Sequence, residues 1–251
     1  KLDGTLWQQY TGYISDLVKG DLRLSTKYRN RSVNELLGQT LPVTLVLGTA
    51  AFCMAVGGGI ALGTWAALRR GQRQEWMAMF LSLMAISIPT FVTGPLLILL
   101  FALKLHWFPV GGLNGARSLF LPALVLAGPY VAYIARLTRT SLLEVLGQDY
   151  IRTARAKGVA EWRIISKHAA KVALLPVITF LGPLAANLLT GSIVVETIFN
   201  IPGAGGFFVR SIENRDGFLL GGVVIVYCTL LVVLNLLVDL AYTWMDRRIR
   251  L

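Results

Sequence analysis

Charge is what this sequence has least of. Asp, Glu, Lys and Arg make up 15% of its 251 residues, against about 25% in an ordinary soluble domain. The shortage is uneven. No charged residue occurs for 33 positions after Glu35, 28 after Glu75, 18 after Arg117, 24 after Lys171 and 22 after Asp216. A helix crossing a bilayer core needs about 20 apolar residues, roughly 17–25 in practice. Five runs of that kind exclude a soluble globular fold. They predict an all-α, polytopic membrane helix bundle with spans at about 41–68, 76–103, 119–143, 172–198 and 218–243.

Catalytic vocabulary is equally thin. The chain has two histidines and two cysteines. Cys53 and Cys228 both fall inside spans, where buried apolar thiols are expected rather than a disulfide. His106 and His168 fall on opposite sides of the membrane in this topology, so they cannot share a metal or act as a pair. There is no H-E-x-x-H, G-x-S-x-G or H-x-x-x-H, and no G-x-x-x-x-G-K-[ST] to cradle nucleotide phosphates. The chain is therefore expected to be no enzyme, to hold no cofactor or metal, and to leave any ATP chemistry to other chains. Acids near the membrane are few. Glu144, Glu196 and Asp239 all lie near span ends, which counts against an ion-coupled secondary transporter, a class that keeps polar groups at midplane. Asn187 is the leading candidate for a residue lining a transport pathway, ahead of Asn235.

The net charge of +11 has a membrane explanation that needs no nucleic acid, because Lys and Arg accumulate in cytoplasmic loops. Fourteen of them lie in the 69–73 turn, the 136–171 region and the C-terminal tail, and four in the alternate connections. The C-terminus is thus expected in the cytoplasm. Residues 1–40 are expected outside as a polar extracytoplasmic segment with short amphipathic patches, although they carry six Lys/Arg of their own. The chain starts at Lys1 in polar sequence, so a further span is expected upstream. Gly59 and Gly63 form a small-xxx-small pair suited to close helix packing. Prolines 89, 95, 122, 129, 176 and 183 lie inside or at the ends of spans; such breaks are tolerated where neighbours or a water-lined cavity satisfy the freed backbone.

Within this apolar chain, "DYIRTARAKG" (Asp149–Gly158) sets down three cationic side chains among small residues. Asp149 is placed to cap a helix. Ile151, Ala154 and Gly158 fall on one face, continued by Trp162 and Ile165 if the helix persists beyond Gly158. Arg152, Arg155 and Arg163 fall on another. A helix this short needs something to pack on. The anionic lipid surface, the protein's own helix ends and a groove on a cytoplasmic protein are the three options. Ala154 and Gly158 are poor lipid anchors but permit tight docking.

"DYIRTARAKGVAEWRIISKHAAKVALLP" resembles the EAA-type loop of ABC importer permeases, and its form is closest to the oligopeptide and dipeptide subfamily. "GDLRLS", "SIPTF", "FPVGG", "ARLTRTSLLEVLGQDY", "GSIVVETIFNIPGAGGFF", "NRD" and "NLLVDLAYTWMDRRIR" extend the resemblance over nearly the whole chain. It implies a type I ABC importer permease fold and a B-type permease in a bacterial inner membrane. The family has six spans, so five here leaves the first missing, and the usual closing Asp-Pro-(Arg/Lys) is replaced by Asp246-Arg247-Arg248. The domains implied are 1–40 and a permease domain 41–251, with a cytoplasmic coupling loop at about 144–171. Implied partners are a homologous C-type permease, two ATPases carrying ATP and magnesium, and an extracytoplasmic peptide-binding protein. The stretch Asp149, Tyr150, Ile151, Arg152, Thr153, Ala154, Arg155, Ala156, Lys157 and Gly158 would be the helix docked in an ATPase groove. Ala154 and Ala156 would give close approach, and Arg152, Arg155 and Lys157 would meet acids at the rim. Glu196, Phe199, Phe207 and Phe208 join Asn187 as candidate pathway or gating residues; the three phenylalanines belong to an outer loop (199–216) expected to touch the binding protein or to act as a gate. Relatives carry dipeptides, longer peptides, nickel or glutathione; the lack of clustered histidines favours peptide.

Overall fold

A computed structural model describes residues 4–113, 115–190 and 192–245. Among them the regular secondary structure is helical apart from one antiparallel bridge between Leu24 and Ser32. In chain order the helices are α1 (Leu6–Val18), α2 (Val33–Leu68), α3 (Arg73–Ser87), α4 (Thr90–Leu97, continued by the π-helical Ile98–Lys104), α5 (Ala116–Leu146) and α6 (Asp149–Ala156). There follow α7 (Glu161–Arg163, continued by the π-helical Ile164–Ala169), α8 (Ala170–Ala173), α9 (Leu175–Thr190), α10 (Ile193–Ile198), α11 (Gly205–Glu213) and α12 (Gly217–Met245).

Among the described residues, three helices are long and apolar enough to cross a membrane alone: α2, α5 and the Gly217–Leu237 part of α12. The count reaches the expected five if each of two bent pairs is one crossing. Arg73–Ser87 and Thr90–Lys104 meet at 108°, and Glu161–Ala173 and Leu175–Leu188 at 54°. The span expected at 76–103 is therefore sharply bent. Pro89 offers no amide to the helix and disfavours the helical conformation of the residue before it; Ile88 accordingly has ψ 121° and α4 starts afresh. The span expected to reach 198 also stops short, at Thr190, and α10 is a separate helix. The span expected from 41 begins earlier, at Val33, where Ser32 caps α2 by accepting from the Glu35 amide at 3.0 Å. The closing residues 246–251 lie outside the described residues, as does the Asp239 side chain.

The α2–α5 seam is the backbone of the bundle. A Cβ on Gly59 would lie 2.6 Å from Ile134 Cβ, and one on Gly63 only 2.4 Å from the Ala135 carbonyl oxygen. Both glycines are buried, so the two helices touch backbone to backbone, as the small-xxx-small spacing predicts. Leu47, Ala51 and Ala55 of α2, Leu121, Val125 and Ile134 of α5 and Val177, Leu184 and Leu188 of α9 fill the main core. A second cluster joins Leu22, Val33, Leu36 and Leu37 to Leu219 and Val223 of α12.

Asp216 fastens the N-terminal segment to that second cluster. Ser25 Oγ donates to it at 2.5 Å, and the Leu219 and Thr26 amides at 3.1 and 3.3 Å. Burial pushes its carboxyl up, but these donors outweigh burial and hold it below the usual carboxylate range. The unfolded chain thus takes up a proton first as pH falls, and the stability supplied by the ionised group is lost on passing down through the lowered value. Acid below the ordinary aspartate range should lower the thermal midpoint, and Asp216→Asn should flatten that dependence while lowering stability at neutral pH.

The seam makes its own prediction. Gly63→Ala should destabilise by about 1–3 kcal/mol through overpacking. Gly57→Ala, where nothing lies within 4 Å of the added Cβ, should stay within about 0.5 kcal/mol. Thermal unfolding of both variants in detergent gives the comparison; equal midpoints would contradict the seam.

Candidate functional site

The basic segment folds as α6 because each turn of its sequence is matched to a surface. Gln148 takes the cap position with no side-chain hydrogen bond, and Asp149 is the first helical residue, not the cap expected of it. Its carboxylate still lies at the positive end of the helix dipole. It also pairs with Arg152 at 3.5 Å, but both side chains are so exposed that the pair adds little. Gly158 ends the helix at φ +75°, and nothing lies within 4 Å of where its Cβ would be. Within this chain its role is the left-handed turn.

Ile151 anchors the helix. It is fully buried among Ala67 at the end of α2, Leu142 and Val145 at the end of α5, and Ile164, Ala169 and Ala173 beyond the loop. Ala154 and Val159 pack against the same cluster. Ala154, on the face of Ile151 one turn away, is half-buried against the chain's own cluster. The apolar stripe continues through Ile164, not through Trp162 and Ile165: Trp162 is 62% exposed, with the Arg163 guanidinium 5.2 Å above its ring. The π-helical turn at Ile164–Ala169 adds a residue to the repeat and shifts the face.

The free face of α6 therefore carries Asp149, Tyr150, Arg152, Thr153, Ala156 and Lys157. Arg155 is partly engaged by Glu161, its Nε donating at 2.9 Å. Close by in the fold, Glu75 ties the α2–α3 turn to α5: it accepts from the Gly71 amide at 2.5 Å and from Arg139 Nε at 2.7 Å. The α6 platform is thus rooted on the ends of the two seam helices.

The candidate pathway residues do not converge on one site. Asn187 is exposed on α9. Glu196 is 1% exposed. Thr44 Oγ1 donates to it at 2.8 Å, Ser192 Oγ at 2.6 Å and the Gly205 amide at 3.0 Å, and Thr44 in turn accepts from the Ala204 amide at 2.9 Å. Phe199 is buried in the main core. Its carbonyl accepts from the Gly112 amide at 2.8 Å, so the "FPVGG" loop closes on the outer loop. Phe207 meets Tyr28 edge-on at 5.7 Å, and it and Phe208 pack on the second cluster. Glu196 is thus a clasp joining α2, α10 and the 199–205 turn through Thr44, Ser192 and Gly205, partners that sequence reasoning missed. The available signal was the glycine seven positions after the acid. A Cβ on Gly203 would lie 2.2 Å from Glu196 Oε2.

Residues 59–251 match the family described as binding-protein-dependent transport system inner membrane component. The chain belongs to that family. This member is 44% identical to the oligopeptide transport system permease protein OppB of Haemophilus influenzae, over 99% of the chain and 82% of that protein. It is 46% identical to the dipeptide transport system permease protein DppB of Bacillus subtilis, over 100% of the chain and 81% of that protein. Among solved structures it resembles an inward-facing MetNI methionine ABC transporter, with TM-score 0.71 and 18% identity over 84% of this chain and 96% of that one. That likeness shows the fold, a type I ABC importer permease.

The clasp yields a prediction. Glu196→Ala strands two hydroxyls and an amide in the interior, each worth about 1–3 kcal/mol when left unpaired. Thermal unfolding should fall well below wild type, Glu196→Gln should fall less, and Gly203→Ala should match the alanine variant. A wild-type midpoint for Gly203→Ala would contradict the geometry.

Proposed function

We propose that the chain is the membrane-spanning permease subunit of an ATP-driven importer that carries oligopeptides or dipeptides into a bacterial cell. The observation that carries the mechanism is Ile151. It roots a basic, polar-faced helix on the ends of α2 and α5 and leaves the opposite face free. Peptide as the substrate class rests on the relatives' 43–46% identity across 99–100% of the chain.

In this reading α6 docks in a groove of one of two cytoplasmic ATPases, which bind ATP and magnesium. Thr153 and Ala156 permit close approach, and Arg152 and Lys157 face acids at the groove rim. A homologous C-type permease completes the membrane portion, and an extracytoplasmic binding protein delivers the peptide. ATPase closure displaces α6, and Ile151 passes the displacement to the α2–α5 seam. Alternating access then follows from two arrangements of a packed bundle. The α6 end lies in the cytoplasm and the N-terminal segment of this chain outside, as the Lys/Arg distribution favours. On the outer side, a cleft of about 490 Å³ bordered by Asn200, Pro202, Phe207 and Arg210 is the place for contact with the binding protein.

The test is to purify the complex, identify its chains, and measure transport and peptide-stimulated ATPase activity. Ala156→Trp and Lys157→Glu alter only the free face, so each should cut transport at least about tenfold, equivalent to 1.4 kcal/mol of docking free energy, with thermal midpoints unchanged. Full transport by both variants would exclude docking through this face. Stimulation by methionine or nickel and not by peptides would overturn the substrate class alone.

A further inference from the structure

Between the start of α3 and the second half of α5 lies a groove of about 590 Å³ that the coupling mechanism does not use. Trp76, Met79, Phe80 and Leu83 form its α3 wall, and Arg136 and Arg139 its α5 wall. The Trp76 and Phe80 rings stack 5.3 Å apart and 7° from parallel, and both are largely exposed. Arg139 is bonded to Glu75. Arg136 is exposed and makes no ion pair among the described residues. The groove therefore combines an aliphatic slot with one uncompensated positive charge at its edge.

Its height along α5 says what would enter it. Arg136 follows Arg117 after 18 uncharged residues, a rise of roughly 28 Å at 1.5 Å per residue, which is about the thickness of the hydrocarbon core. Arg136 is thus level with lipid headgroups, where an aromatic pair such as Trp76 and Phe80 is also favoured. Basic pockets between helices at this level recognise anionic headgroups.

We propose that this groove binds an anionic phospholipid, its phosphate on Arg136 with Arg139 beside it and an acyl chain along Met79 and Leu83. The lipid would bridge α3 to α5 just beneath the α6 platform. An acyl chain needs the slot and a phosphate needs the charge, so the two features are separable by mutation.

The importer, purified and stripped of lipid in detergent, is titrated with short-chain phosphatidylglycerol or phosphatidylcholine, and bound lipid is counted by native mass spectrometry. Phosphatidylglycerol should be retained over phosphatidylcholine. Arg136→Gln, which leaves the Glu75–Arg139 pair intact, should weaken phosphatidylglycerol retention about tenfold, the loss of one charge-assisted hydrogen bond. Leu83→Trp fills the slot without changing charge and should weaken it too. Equal retention of both lipids, or retention indifferent to both substitutions, overturns the proposal. So does efficient cross-linking of Met79→Cys to a neighbouring permease in the assembled importer, which would mean that protein covers the groove.

Discussion

Two helices that touch backbone to backbone set the geometry of everything else. In lipid there is no hydrophobic driving force between apolar helices, so their association relies on close van der Waals packing. Gly59 and Gly63 remove the side chains that would hold α2 away from Ile134, Ala135 and Thr138 of α5. At one end of this seam the last turns of α2 and α5 form the cradle for Ile151. Toward its other end Thr44 of α2 reaches the Glu196 clasp. A displacement of either end relative to the other must pass through a pair of helices with no slack between them.

The second constraint is polar satisfaction away from water. Glu196 is a carboxylate in the protein interior, and such a group is tolerable only when its lone pairs are filled. Two hydroxyls and a backbone amide do this, and they come from three separate parts of the chain. The outer loop is consequently folded around the acid. Its glycines follow from that: at Gly203 there is no room for a methyl group beside the carboxylate.

Much of this was legible beforehand, for physical reasons that can be named. Charge-free runs located the apolar segments because a bilayer forbids unpaired charge. Glycine spacing located the seam, and Gly158 located the end of the basic helix, since only glycine adopts its φ without strain. The prolines announced breaks but not their size: Pro89 dictates that the helix stop at Ile88, whereas the 108° turn is decided by what α4 packs on. The face assignment of α6 was half right. Periodicity put Ile151 and Ala154 together, yet it could not say whether that face turned toward this protein or another. Burial decides it: Ile151 is turned into this protein, and Asp149, Thr153, Ala156 and Lys157 are exposed. Glu196 looked like a residue at a span end because its partners lie as far as 152 positions away, beyond the reach of any local pattern.

α6, the α2–α5 seam and the cradle between them should thus move as one mechanical body. Paired spin labels at Ala160 and Arg70, just past the ends of α6 and α2 and off the proposed docking face, test this in the assembled importer by measuring their separation without nucleotide and with ATP bound. An unchanged distance in both states is expected. A change between Ala160 and Arg70 would show α6 moving independently of the seam and would contradict the central claim.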